Sequence, residues 1–130
     1  EWHSDYEHRQ LAKSYATLQS ATRFSRFLEL NLEHAEDCEL WWSTSQKVFK
    51  AMENAPDPKL VYLKALFVVG RDEGYPLKEF WLTSLPKPLN AEARQALAAQ
   101  PDQTNAAPHI DSLIQNLESF LVSETPLRCP

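Results

Sequence analysis

With 130 residues, 43% of them apolar and 11% aromatic, the chain can bury one hydrophobic core and has little room for a second, which excludes intrinsic disorder. Only two glycines, Gly70 and Gly74, leave no glycine-rich cradle for phosphates, and Rossmann and P-loop nucleotide sites are excluded. A formal charge of −5, from 13 Lys+Arg against 18 Asp+Glu, disfavours direct nucleic-acid binding, because affinity for phosphates comes largely from neutralising cations.

The first long segment, Tyr6 to His34, places Leu11, Tyr15 and Leu18, then Phe24, Phe27, Leu28, Leu30 and Leu32, along a helical stripe. It contains no Pro or Gly, and Ser20-Ala21-Thr22 is compatible with one bent helix or with two meeting at a corner. After the polar break Glu36-Asp37, Asp37 is placed to cap a second helix from Cys38 to about Asn54, with Leu40, Trp41, Val48, Phe49 and Met52 inward. Adjacent Trp41 and Trp42 point about 100° apart on that helix, so one of them belongs near the surface.

Ala55-Pro56-Asp57-Pro58 is a tight connection in which Asp57 caps the third helix and Pro58 takes its first position. From Lys59 to Glu73 the chain is apolar nearly all round, which predicts a central helix covered by neighbours and ended at Gly74. A buried strand is the rival for this stretch, because Val68-Val69 is β-branched, but the length of the run favours helix. Gly70 inside it costs about 1 kcal/mol relative to Ala, and close approach of another helix is the simplest reason for it. Lys64 interrupts the apolar run and must either snorkel outward or pair. A cation at the lip of an apolar groove suits an acidic, hydrophobic peptide.

From Gly74-Tyr75-Pro76 to Leu89 the segment reads as loop, with Phe80-Trp81-Leu82 tucked against the helices. Asn90 is placed to cap a short helix through about Ala99, and Pro101 to Pro108 reads as polar loop. The closing helix starts near Pro108 and carries Ile110, Leu113, Ile114, Leu117, Phe120 and Leu121 at three- and four-residue spacing. The expected architecture is all-α: a compact bundle of five to six helices around a central hydrophobic helix, forming a single domain over residues 1–130.

Chemistry-bearing constellations are sparse. His34 and Cys38 are four apart, with Glu33 and Asp37 nearby, but the break between them and the lack of a second Cys/His pair give no tetrahedral set, so no metal is expected. No nucleophile motif of the G-x-S-x-G kind occurs, and carboxylate pairs such as Asp72/Glu73 fall at helix ends, so no catalytic residues and no cofactor are assigned. Asp72 and Glu73 stand at the unfavourable end of the helix dipole. Basic pairs such as Arg23 with Arg26, Lys47 with Lys50 and Lys64 with Arg71 share helical faces that solvation explains as well as binding does. Cys38 and Cys129 are too far apart in sequence, and Cys129 too near the last residue, to look like a structural bridge, which fits a reducing cytoplasm. No run approaches the roughly 18 apolar residues of a membrane span, and the first residues lack the order of a signal peptide, so no membrane association is expected. The absence of an initial Met, together with a strong helical start, reads as a piece of a longer protein.

Taken in order, Leu11-Ala12-Lys13 to Phe27-Leu28-Glu29-Leu30, the acidic break, the second helix, Asp57-Pro58-Lys59-Leu60, the central helix with Gly74-Tyr75-Pro76, and a closing helix with Leu117, Phe120 and Leu121 before Pro126-Leu127-Arg128 form a pattern. It resembles the C-terminal helical domain of the bacterial RecO family of DNA repair and recombination mediators. The resemblance implies an upstream DNA-binding OB-fold that is absent here. It also implies a role without a catalytic centre, in recombinase loading and strand annealing, with DNA bound by the full-length protein. The partners it implies for this half are RecR and the acidic, Phe-ended tail of single-strand binding protein. Many members carry a four-Cys zinc site after the Gly-Tyr motif. Here Lys78-Glu79-Phe80-Trp81 follows without Cys, so zinc is not carried over. For tail binding the expected residues are Leu63, Lys64, Phe67 and Arg71, with cations meeting carboxylates and apolar side chains receiving the Phe ring. The rival readings are an unrelated all-α interaction or scaffold module, and a small helical metal protein or enzyme using His34 or Cys38.

Overall fold

Residues 4 to 31 contain neither Pro nor Gly and form one unbroken helix of 28 residues, α1 (Ser4–Asn31), so the Ser20-Ala21-Thr22 stretch does not split it. The computed structural model describes residues 4–32, 38–54, 57–98 and 108–130, with the backbone alone for 4–14 and 54. Four further α-helices follow: α2 (Cys38–Asn54), α3 (Pro58–Asp72), α4 (Lys87–Ala98) and α5 (Ile110–Glu124). No strand occurs among the described residues, and the fold is an all-α bundle. The expected Asp37 cap, the break at Glu36-Asp37 and most of the loop from Pro101 lie outside the described residues, as does His34.

α3 is the hub, packed against α1, α2, α4 and α5. Its start follows from two residues: Asp57, in extended conformation, accepts a hydrogen bond from Lys59 N at 3.1 Å, and Pro58 occupies a position whose N–H would have had no helical partner. Its end follows from Gly74, whose φ of +94° is open to glycine at no steric cost. Tyr75 N donates to Gly70 O at 3.1 Å and Gly74 N to Arg71 O at 2.9 Å, the paired bonds of a Schellman cap. Gly70 has the reason anticipated for it. A Cβ there would lie 2.7 Å from Leu77 Cδ1 and 3.3 Å from Leu121 Cδ2, so α5 and the chain after the turn approach α3 because the side chain is absent.

The apolar stripe of α1 is only partly used. Phe24 and Phe27 are fully buried, and Phe27 stacks on Trp41 of α2 with ring centroids 6.1 Å apart. Tyr15 and Leu18 are each 63% exposed, against expectation. At 1.5 Å per residue α1 is about 42 Å long and α2 about 25 Å, so α1 outreaches its neighbours. On α2, Trp41, Ser45, Val48 and Met52 face inward, whereas Leu40, expected inside, is exposed. Trp42 is 69% exposed and resolves the Trp41-Trp42 pair as the spacing requires.

The segment after Pro76 is helical, not loop. A five-residue π-helical stretch, Lys78–Leu82, follows the turn, with Trp81 and Leu82 buried and Phe80 63% exposed. Leu77, Trp81, Leu82 and Leu85 are all buried at spacings of four, one and three, a helical pattern that the Pro and aromatic content masked. Asn90 does not cap α4, which begins three residues earlier at Lys87 with Pro88 in its first turn. Asn90 Nδ2 instead donates to Leu82 O, tying α4 to the π-helical stretch. α5 behaves as its spacing dictates: Ile110, Leu113, Ile114, Leu117 and Leu121 are buried and Phe120 is half-buried.

Candidate docking surface

Between its ends, α3 keeps three half-exposed side chains, Lys64, Phe67 and Val68, and the exposed Arg71 continues the series toward Asp72. Their spacing of three, four and seven residues puts them on one strip that the neighbouring helices leave uncovered. Leu63 is not on it. This residue, expected to receive a partner's ring, has no exposed surface, because its position turns it into the core with Leu66 and Tyr62.

Beside the strip runs an apolar groove of about 420 Å³ between α2 and α3. Leu40, Ser43, Thr44, Lys47 and Ala51 recur along one face of α2 as its outer wall. Val48, Leu60, Val61 and Ala65 are buried and form its floor, and Ala96 of α4 reaches it. Lys47 and Lys64 line it from opposite helices, each about two turns from the α2–α3 connection, while Asp57 and Asp72 stand at the two ends of α3. A groove with a cationic middle follows. Lys47 was visible in sequence only as one of a solvated pair with Lys50; its distance from the connection, matched by that of Lys64, is the signal that places the two at one height.

The four expected residues therefore divide. Lys64 borders the groove. Phe67 leans the other way, its ring 6.2 Å from that of Trp81. Arg71 is exposed and 3.5 Å from its neighbour Asp72, an ion pair worth little in water. Glu73, whose place at the negative end of the dipole looked unfavourable, accepts a hydrogen bond from the Trp41 indole N–H, which links the end of α3 to α2.

No family model, curated protein or solved structure matches this chain.

A second polar feature was not foreseen. Glu118 of α5 is buried and accepts from the Tyr62 hydroxyl at 2.9 Å and from the Arg23 guanidinium. Arg23 also lies over the Tyr62 ring, 5.1 Å from its centroid. Burial, reinforced by the Glu118 charge, pushes the Tyr62 phenol well above its ordinary value. One residue each from α1, α3 and α5 meets here, and every buried side-chain polar atom described has a hydrogen-bond partner. A glutamate inside the α5 stripe, one residue after Leu117, was the available signal. Among the described residues no cluster of His, Cys, Asp and Glu is placed to hold a metal ion, and no helix is long and apolar enough to cross a membrane.

Proposed function

We propose that the chain is a non-catalytic, partner-binding helical domain of a RecO-like recombination mediator acting in the cytoplasm. Its uncovered α3 strip and the adjoining groove receive an acidic peptide with a bulky apolar end, of the kind that terminates single-strand binding protein. RecR is the second partner of this reading, and DNA contact belongs to an OB-fold elsewhere in the full-length protein.

The observation that carries it is the pairing of an apolar floor with Lys47 and Lys64 on opposite rims. Apolar area supplies affinity that is indifferent to sequence, and two cations at one height select a carboxylate and fix its register. Arg71, one turn beyond Val68, extends the positive strip for a second acid.

Fluorescence anisotropy with a labelled acidic, Phe-ended peptide tests the reading. Lys47→Ala, Lys64→Ala and Arg71→Ala are each expected to weaken binding several-fold, with steeper losses at high salt in the parent than in the variants. Unchanged affinity in Lys64→Ala, or no binding to the parent domain, refutes it.

A further inference from the structure

Charge alternates along the α2–α3 groove. α2 ends at Asn54 and α3 starts at Pro58, so the two helices run antiparallel, and the groove follows α3 from Asp57 at one end to Asp72 at the other. The 15 residues of α3 span about 22 Å. Lys64 stands about two turns from each of the two aspartates, with Lys47 across from it on α2. The order along the groove is therefore acidic, basic, acidic. Asp57 accepts from Lys59 N through Oδ1 and keeps its charge, and the exposed Arg71, 3.5 Å from Asp72, offsets that carboxylate weakly in water.

We propose that this groove receives one amphipathic helix of a partner protein, about four turns long, acidic at its middle and basic about two turns to either side. The inference rests on the reading of the groove as a docking surface, and adds the conformation and charge order of what docks. Conformation follows from the floor. Val48, Leu60, Val61 and Ala65 offer no polar side chain, and the backbones beneath them are bonded within their own helices. An extended peptide laid there would lose water from N–H and C=O groups and find no partners, whereas a helix satisfies its own. Ala51, Ala65 and Ala96 are small, which lets a third helix settle close between α2 and α3. Charge order follows from complementarity: a central carboxylate meets Lys47 and Lys64, and flanking cations meet Asp57 and Asp72. The same order disfavours a second copy of the chain. Two-fold pairing about the middle of the groove would set Lys47 and Lys64 against their own copies, and Asp57 against the other Asp72.

Fluorescence anisotropy on the full chain tests this with labelled alanine-based peptides of about four turns, carrying leucines at three- and four-residue spacing. The patterned peptide has glutamate at its middle and a lysine about two turns to either side. One control is uniformly acidic, and the other reverses every charge. The patterned peptide should bind at least several-fold more tightly than either control, and proline at its middle should weaken it by roughly a hundredfold. Asp72→Lys puts a cation at the favourable end of the α3 dipole, so it should stay folded while weakening the patterned peptide several-fold. Changing one of the peptide's two lysines to glutamate should restore that loss, and which one does so gives the direction of the bound helix. Binding that tolerates the proline means an extended occupant and overturns the proposal. Equal binding of the uniformly acidic peptide overturns it too, as does a loss in Asp72→Lys that neither exchange restores. Sedimentation showing a dimer that binds no patterned peptide also overturns it, since a second copy then holds the groove. If the acidic, Phe-ended peptide binds and the patterned helix does not, the proposed function stands and this inference falls; the converse result supports this inference and refutes the peptide named there.

Discussion

The Tyr62 hydroxyl and the Glu118 carboxylate lie 2.9 Å apart where α3 meets α5, and Arg23 of α1 closes the cluster from the third side. The three residues fix the relative register of three helices inside an otherwise apolar core. Tyr62 and Glu118 are buried and the Arg23 side chain is 43% exposed, so removing either of the first two leaves the other buried and short of a partner. Glu118→Ala is expected to cost about 2–4 kcal/mol and Tyr62→Phe about 1–2 kcal/mol in urea unfolding. The double variant should lose clearly less than the sum, since both changes remove one interaction. Strict additivity would show that the hydrogen bond contributes nothing.

The same cluster sets an alkaline limit. Tyr62 and Cys129 are both held neutral in the folded chain, by burial first and the Glu118 charge second, and their folded values lie above the ordinary ones of about 10 and about 9. A raised folded value means that the contribution is complete below the unfolded value and is lost as pH rises through the folded one. Stability should therefore be flat in these two groups to about pH 9 and fall above it. Denaturation midpoints measured from pH 8 to 11 should show this decline, with a shallower slope in Cys129→Ser and a shallower one again when Tyr62→Phe is added.

Gly70 is a position where two effects of similar size oppose. Alanine gains about 1 kcal/mol of helix propensity, but its Cβ would come within 2.7 Å of Leu77 Cδ1 and 3.3 Å of Leu121 Cδ2, both on fully enclosed side chains. Crowding wins because neither leucine has open space to turn into, and Gly70→Ala should be destabilised by about 1 kcal/mol in thermal or urea unfolding. In a Leu77→Ala background the closest clash is gone. There Gly70→Ala should stabilise, by up to about 1 kcal/mol.

How far the sequence carries the reader depends on the kind of signal. The boundaries of α3 could be read because Asp57-Pro58 and Gly74 act within one turn of themselves, through hydrogen bonds and backbone angles that need no partner. The five buried apolar positions of α5 could be read because burial on one side of a helix repeats every three or four residues. The exposure of Tyr15, Leu18 and Leu40 could not, since whether an apolar stripe is covered depends on the length and placement of another helix. The π-helical stretch was hidden by Pro76, Pro86 and Pro88, which in fact stand at helix starts and between helices. On the exposed strip of α3 Lys64 declared itself by interrupting apolar neighbours. Leu63, one residue earlier, looked equivalent to Phe67, and only three-dimensional packing separates the enclosed leucine from the half-exposed ring.

That separation is itself testable. Leu63 has no exposed surface, and Leu63→Ala should destabilise by about 2–5 kcal/mol, depending on how far Leu66 and its neighbours collapse into the space. Lys64 is half-buried at the groove rim, and Lys64→Ala should change stability by no more than about 1 kcal/mol. In peptide binding the order reverses. Lys64→Ala should weaken affinity several-fold, whereas Leu63→Ala, measured at a temperature where it is still folded by circular dichroism, should bind as the parent does. A Leu63→Ala protein that is folded yet loses binding would mean that the peptide's apolar end penetrates the core, and the surface would have to be redrawn around Leu63.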